Sequence, residues 1–235
     1  MCGRYTLALP LGELVEVFDV AQLGMGEWPP HFNIAPTQRA PVVLADGSGK
    51  RRMGLMRWGL VPSWAKDPAM GNRMINARAE TAAEKPAFRA AFRARRCLVP
   101  ADGFYEWRRP EQGSGPKTPY HIRPPGGGVM AMAGLWERWR PGPEDQEEMH
   151  TFTILTREAA PWIRPLHHRM PVVLSPSAWS PWLDPDSGAE RLHELLEAAG
   201  DPPLEAREVS THVNRPGNDD PACMVPVQGG DHLTR

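Results

Sequence analysis

The chain has 235 residues, of which 41 % are hydrophobic and 23 % are charged, and its formal net charge is −1. These values are typical of a globular protein with one sizeable core, and no run approaches the roughly 20 apolar residues of a membrane-spanning helix. The N-terminal stretch carries Glu13 and Glu16 and no long apolar segment, so we expect no signal peptide and a cytoplasmic protein.

Alternating and β-branched residues predict strands along most of the chain. In chain order, the eight predicted strands are Arg4–Leu9, Pro41–Leu44, Arg52–Leu60, Cys97–Pro100, Pro119–Ile122, Val129–Leu135, Thr151–Thr156 and Pro171–Leu174. Helical periodicity marks Leu11–Asp19, Pro86–Arg95, Glu158–Arg164 and Ala189–Ala199, and Pro10 suits the start of the first of these helices. Two stretches rich in Pro, Gly and charge, at 110–119 and 141–148, are predicted surface loops.

Strands outnumber helices and do not alternate with them regularly. This order predicts an α+β fold with a largely antiparallel, barrel-like sheet and flanking short helices. We find no internal repeat and expect a single domain over residues 1–235. Residues 1–183 contain 23 Lys/Arg and 17 Asp/Glu, whereas the part from about residue 184 contains 4 and 11. A basic body of this kind can bind a polyanion, although arginine-rich composition alone produces the same surplus.

The three cysteines are Cys2, Cys97 and Cys223. They are odd in number, far apart and not in a CxxC pair, so we expect neither a disulfide framework nor a structural zinc site. Removal of Met1 would leave Cys2 with a free α-amine, whose reference pKa near ~8 keeps a useful fraction neutral. Its amine and thiol together can condense with an aldehyde, first to an imine and then to a five-membered thiazolidine.

Six short motifs follow one another along the first three quarters of the chain. They are Cys2-Gly3-Arg4-Tyr5, Phe32-Asn33-Ile34-Ala35-Pro36, Trp58-Gly59-Leu60-Val61-Pro62-Ser63-Trp64, Ile75-Asn76-Ala77-Arg78-Ala79-Glu80-Thr81, Asp102-Gly103-Phe104-Tyr105-Glu106-Trp107 and His167-His168-Arg169-Met170-Pro171. In this order, with the cysteine at position 2, they resemble the SRAP (SOS-response-associated peptidase) family. A weaker similarity continues through Val213-Asn214 and Val225-Pro226.

The resemblance implies a sensor of abasic sites in single-stranded DNA that cross-links to them through Cys2. The peptidase of the family name refers to removal of the residue before that cysteine. The expected partner is abasic single-stranded DNA, with no membrane partner, no cofactor and no metal. A cytoplasmic monomer that joins the nucleoid on DNA damage fits this role.

The resemblance also implies which residues act on the sugar. His167 would help to open the closed deoxyribose, since histidine is the side chain that titrates nearest neutrality. Glu106, flanked by aromatic residues that would desolvate it, would serve as the general acid for imine formation. Asn76 and Arg78 alternate along an extended segment and share a face, where they could hold the sugar and a flanking phosphate.

Further residues are expected to contact the DNA strand. Phosphate ligands are expected at Arg4 and Arg169, and Asn33 is expected in the same pocket. Trp64, in an exposed-looking turn, could stack on a base, and Pro36 could act as an apolar wedge across the groove.

Two positions depart from the family pattern. Ala65 stands where relatives often have a second aromatic residue, and His168 stands where they commonly have Asp. Stacking could therefore rest on Trp64 alone, and the pKa of His167 could differ from that in relatives.

Two other functions remain open from the sequence. Cys2, His167 and Glu106 have the residue types of a cysteine hydrolase triad, but no oxyanion-hole motif is evident. A non-catalytic single-strand binding module would need only the arginines and aromatic residues. A metal enzyme is not expected, because His167 and His168 are adjacent rather than spaced for chelation.

Overall fold

A five-stranded barrel lies at the centre of the computed structural model, which describes residues 2–110, 115–140 and 148–234. The strands are β1 Tyr5–Leu7, β2 Val20–Leu23, β3 His31–Ile34, β4 Arg39–Ala45, β5 Arg51–Trp58, β6 Asn76–Arg78, β7 Arg96–Ala101, β8 Gly103–Arg108, β9 Thr118–Arg123, β10 Met130–Trp139, β11 Met149–Glu158, β12 Arg169–Pro171, β13 Val173–Leu174, β14 Glu205–Glu208 and β15 His232–Thr234. The α-helices are α1 Leu11–Val17, α2 Ala79–Ala82, α3 Arg89–Ala94, α4 Pro176–Leu183 and α5 Ala189–Ala198. Short 3-10 helices span Pro68–Arg73, Thr211–Asn214 and Pro221–Met224.

The barrel consists of β11, β10, β7, β4 and β5 in that order. Its first four pairings are antiparallel, and a parallel pairing of β5 with β11 closes the ring. Strand β7 is buried along its whole length. Gly134 lets β10 approach β7 closely, because a Cβ at this position would lie 2.7 Å from the Sγ atom of Cys97.

A second, six-stranded antiparallel sheet has the order β15-β14-β9-β8-β1-β3. The chain passes from the barrel strand β7 to β8 of this sheet at Asp102. The two sheets also pack through aromatic rings, since Tyr5 meets Trp58 edge to face at 5.1 Å. Strands β14 and β15 come from the acidic C-terminal part, which therefore completes this sheet.

The predicted fold class is confirmed: the sheets are largely antiparallel, one closes into a barrel and the helices are short. All eight predicted strands are present, the last one divided into β12 and β13. No helix within the described residues is both long and apolar enough to cross a membrane.

The predicted helix Glu158–Arg164 is wrong. Glu158 pairs with Arg169 as the last residue of β11, and the residues that follow form consecutive turns. Pro161 explains the difference, because a proline inside this segment removes an N–H group that a helix would need. The apolar spacing instead buries Ile163 and Leu166 beneath the turns. The predicted loops 110–119 and 141–148 lie partly outside the described residues, and the end of the first belongs to β9.

Candidate active site

Cys2 lies just before β1, with its side chain fully buried. Its Sγ atom is 3.7 Å from the carbonyl oxygen of Arg4, and that oxygen also accepts a hydrogen bond from the backbone nitrogen of Tyr105 in β8. Burial and the neighbouring charge of Glu106 raise the pKa of the Cys2 thiol well above its ordinary value. The sulfur is therefore held as a neutral thiol next to β8.

Glu106 is the buried acid of this site, with 3 % of its surface exposed. Burial raises the pKa of its carboxyl group to about 7, because a low-dielectric environment disfavours the charged form. A substantial fraction is consequently protonated near neutrality, which is the state that a general acid needs. The first four residues of β8, Gly103 to Glu106, are all buried, and the strand becomes half-buried from Trp107 onward.

His167 lies at the end of the turns that precede β12 and is half-buried. Its Nδ1 atom accepts a hydrogen bond from the backbone nitrogen of Arg169 at 2.9 Å and lies farther, at 3.3 Å, from the carbonyl oxygen of the same residue. The shorter contact favours the neutral tautomer with its proton on Nε2. Burial is the main cause that lowers the pKa of His167 to about 4, followed by the charge of the N-terminal amine and that of the adjacent His168. The two rings are stacked with centroids 4.3 Å apart. His167 is therefore a neutral imidazole at physiological pH.

Asn76 connects the barrel side of the site to Cys2. It begins β6, which pairs with β11, and its Nδ2 atom donates to the carbonyl oxygen of Cys2 at 2.8 Å. Arg78, two residues later in the same strand, is exposed, and Ala77 between them is buried. The predicted alternation along this segment is confirmed.

Glu106 and His167 line one open cleft of about 600 Å³. Three cationic side chains that sequence reasoning did not single out, those of Arg109, Lys117 and Arg164, also line it. The only sequence signal for them was the general basic surplus before residue 184. The structure thus brings together Cys2, Asn76, Glu106 and His167, which lie far apart in the chain, beside a cleft with cationic walls.

Arg4 and Asn33 form a buttress rather than an open phosphate site. Nη1 of Arg4 donates to Oδ1 of Asn33 at 2.9 Å and to the carbonyl oxygen of Val213 at 3.1 Å. Asn33 is fully buried, and its Nδ2 atom donates to three carbonyl oxygens of the C-terminal segment, those of Val213, Arg215 and Asn218. The Asn33 amide therefore orients Arg4 and holds residues 213–218, a part of the chain to which sequence analysis gave no role.

Arg169 is engaged within the protein. Its guanidinium binds the carboxylate of Glu80 through two hydrogen bonds of 2.7 and 2.8 Å and also contacts the carbonyl oxygen of Thr156. Its side chain is 11 % exposed. This bidentate pair fastens β12 to α2 beside His167, a partnership that sequence reasoning missed.

Trp64 is the most exposed large hydrophobic side chain among the described residues, at 57 %. The adjacent Ala65 is buried, so an aromatic replacement there would meet the core. Pro36 is half-buried in a turn that continues with Thr37 at a φ of +76°, a conformation unusual for a β-branched residue.

The chain is similar to known proteins over most of its length. The family model of the SOS response associated peptidase (SRAP) matches residues 1–216. The abasic site processing protein YoqW of Bacillus subtilis is 41 % identical over 228 residues, covering 95 % of this chain and 99 % of that protein. The abasic site processing protein HMCES of Gallus gallus is 35 % identical, and the match covers 98 % of this chain and 79 % of that protein. A solved structure of a phage-related protein from Bordetella bronchiseptica is 30 % identical with a TM-score of 0.69. The match covers 88 % of this chain and 94 % of that one.

Proposed function

Because the chain belongs to the SRAP family, we propose that it processes abasic sites in single-stranded DNA by forming a covalent thiazolidine cross-link through Cys2. The observation that carries this proposal is the position of Cys2. Its carbonyl is held by Asn76, and its thiol lies beside the buried carboxyl of Glu106. Removal of the residue before Cys2, the peptidase activity of the family name, would place a primary amine at the same point.

The proposed reaction releases one water. The Cys2 amine adds to the aldehyde carbon of the open deoxyribose to give a carbinolamine. Protonated Glu106 donates to the carbinolamine hydroxyl, which leaves as water and gives an imine. The thiol then adds to the imine carbon, forming the C–S bond while its proton goes to nitrogen. A thiol held neutral carries the proton that this last step transfers.

His167 and Asn76 are proposed to position the sugar. The neutral His167 ring carries its proton on Nε2 and can donate to a sugar oxygen, which favours the open aldehyde over the closed ring. Asn76 holds the Cys2 carbonyl, and therefore the direction of the amine on the adjoining Cα atom. Both side chains work without a change in their own charge at neutral pH.

We propose direct contacts with the strand for Arg78 and Trp64, the exposed members of the predicted set. Pro36 is proposed to flank the same groove. Arg4 and Arg169 are proposed to lie close to the abasic sugar in the complex. Asn33 is proposed to contribute by orienting Arg4. The cationic side chains that line the cleft, Arg109, Lys117 and Arg164, supply further attraction for the phosphates.

A thiol hydrolase is less well supported by this geometry. Such an enzyme needs a thiolate, and thiolates form where cations or a paired imidazole lower the thiol pKa. Burial and Glu106 shift the Cys2 thiol in the opposite direction. A purely non-covalent binding module would not need a buried acid beside the second residue.

Mass spectrometry after incubation with an abasic single-stranded oligonucleotide tests the proposal. We expect an adduct equal to the protein without Met1 plus the oligonucleotide minus one water, stable in denaturant. An oligonucleotide with a tetrahydrofuran analogue, which has no aldehyde, is the matched control and should give none. Cys2→Ser keeps the amine and should yield no stable adduct. An equally stable adduct in Cys2→Ser, or in protein that retains Met1, would refute the mechanism.

A further inference from the structure

Three metal-ligating side chains converge in the C-terminal segment, away from Cys2. Their donor atoms, one each from His212, Asp220 and Cys223, all lie within 4.8 Å of one another. His212 belongs to the 3-10 helix Thr211–Asn214. Cys223 belongs to the 3-10 helix Pro221–Met224, which begins directly after Asp220. The set contains one cysteine and no CxxC pair, and the sequence alone therefore predicted no metal site here.

The donor set is that of a zinc site. Imidazole nitrogen, carboxylate oxygen and thiolate sulfur are the three ligand types of protein-bound Zn²⁺, and its bond lengths set ligand separations of about 3.3–3.6 Å in a tetrahedron. The donor atoms lie within 4.8 Å of one another, so the longest separation needs to close by about 1.2–1.5 Å at most, whereas the 2.9 Å between Nε2 of His212 and Oδ2 of Asp220 has to widen by about 0.5 Å. The Cys223 thiol is buried, whereas the His212 and Asp220 side chains are 36 % and 51 % exposed. This gives a sulfur at the base of the site and an open side for a water ligand.

Backbone capping already orders the two helices that carry the donors. Oδ1 of Asp220 accepts from the backbone nitrogen of Ala222 at 2.8 Å, and Oγ of Ser210 accepts from that of His212 at 3.2 Å. Oδ2 of Asp220 points instead to Nε2 of His212, 2.9 Å away. Capping therefore uses one carboxylate oxygen and directs the other toward the imidazole.

We propose that His212, Asp220 and Cys223 bind one Zn²⁺ ion, with water as the fourth ligand. Binding releases the Cys223 thiol proton to solvent. His212 binds as a neutral imidazole through Nε2, with its proton on Nδ1. Nδ1 is 3.2 Å from Nδ2 of Asn218, which also donates to the carbonyl oxygen of His212 at 2.8 Å. Metal binding therefore requires the Asn218 amide to move, because Nδ1 then carries the proton and needs an acceptor.

The site is linked to the residues around Cys2 through backbone carbonyl groups of residues 213–218. The carbonyl oxygen of Asn218 accepts both from Sγ of Cys223 and from Nδ2 of Asn33. Asn33 in turn binds Arg4, and Arg4 binds the carbonyl of Val213 within the first of the two helices. A metal ion would thus fasten the segment that orients Arg4, which makes its role structural and independent of the proposed cross-linking chemistry.

Metal titration of the untagged, chelator-treated full-length protein tests this site. With Co²⁺ as a spectroscopic substitute, we expect one ion per chain and a thiolate-to-cobalt charge-transfer band. With Zn²⁺, we expect one equivalent and a higher melting temperature. Cys223→Ser should abolish the cobalt band. Asp220→Asn keeps the capping oxygen and should weaken Zn²⁺ binding more than about tenfold.

Two control variants separate this site from other metal-binding groups. His150→Gln disrupts the surface pair of His150 with Glu148, which belongs to no group of three metal-ligating side chains among the described residues, and should leave binding unchanged. Cys2→Ser should also leave it unchanged. Loss of the cobalt band in Cys2→Ser with retention in Cys223→Ser, or the absence of any such band, would overturn the proposal without affecting the cross-linking test.

Discussion

The side-chain amide of Asn76 donates a hydrogen bond to the backbone carbonyl of Cys2, with 2.8 Å between Nδ2 and the oxygen. This bond joins β6, which pairs with the barrel strand β11, to Cys2, three residues before β1 of the second sheet begins. It is a direct polar connection between the proposed nucleophile and the sheet whose strand β12 follows His167. The orientation of Cys2 therefore depends on the packing of the two sheets and not on β1 alone.

Asn76→Ala should slow adduct formation by roughly fivefold. The bond is worth about 1 kcal/mol and orients the nucleophile, and each ~1.4 kcal/mol in the barrier changes the rate tenfold. Asn76→Asp should be slower still, because a carboxylate would face the carbonyl oxygen of Cys2. Single-turnover gel assays measure both rates, and circular dichroism melting shows whether the fold is retained. Wild-type rates in both variants would remove Asn76 from the mechanism.

Adduct formation should decline as the pH rises through about 7, the pKa of Glu106. Above this pH the carboxyl is ionised and cannot protonate the departing hydroxyl. Glu106→Gln should be slow at every pH and should lack this descending limb. Rates measured from pH 5 to pH 9 test the assignment, and an unchanged limb in Glu106→Gln would assign it to another group.

The same pKa predicts a pH effect on stability. The folded protein binds the Glu106 proton more tightly than the unfolded chain, whose value is near 4.5. This stabilisation is complete below about pH 4.5 and is lost as the pH rises to about 7. Glu106→Gln should therefore gain stability relative to wild type at pH 8, on the order of 1–3 kcal/mol. Urea unfolding at pH 4 and pH 8 would show the difference.

His168→Asp should raise the pKa of His167. Burial is the main cause of the present value of about 4, and the charge of His168 adds to it. An aspartate removes the repelling ring and provides an attracting carboxylate beside the stacked position. Titration of the His167 ring protons by NMR would report the pKa directly. A value that stays near 4 would mean that residue 168 does not contribute to it.

Trp64→Ala should weaken binding to single-stranded DNA while leaving stability almost unchanged. The indole is largely exposed, so its removal costs little burial. Stacking on one base contributes about 1–3 kcal/mol, which is roughly 5- to 150-fold in Kd. Leu23→Ala, at an exposed apolar position in the edge strand β2, is the control. Fluorescence anisotropy with undamaged oligonucleotide measures the affinities, and equal values for all three proteins would exclude a stacking role.

Asn33→Ala should act mainly on stability. The substitution leaves three carbonyl oxygens of residues 213–218 and the guanidinium of Arg4 without their buried partner. Lost hydrogen bonds of this kind cost on the order of 2–4 kcal/mol together. Chemical denaturation should show the loss before any change in DNA affinity measured well below the unfolding midpoint. A stable variant with weakened DNA binding would instead support a direct contact.

The sequence by itself determined features that depend on neighbouring residues. The alternation of Asn76 and Arg78, the eight strands and the aromatic surroundings of Glu106 follow from local spacing. The pairing of an amine with a thiol on Cys2 is covalent and needs no fold. The predicted helix Glu158–Arg164 was wrong because its apolar residues are buried beneath the turns that begin at Pro161 and do not form one face of a helix.

Only the tertiary structure decided which distant groups meet. The binding of Arg169 to Glu80, the saturation of the Asn33 amide and the convergence of His212, Asp220 and Cys223 depend on sheet register and loop packing. A charged or polar side chain has the same local sequence signal whether it faces solvent, a phosphate or a buried partner. Its role is set by the desolvation and the partners that the fold provides.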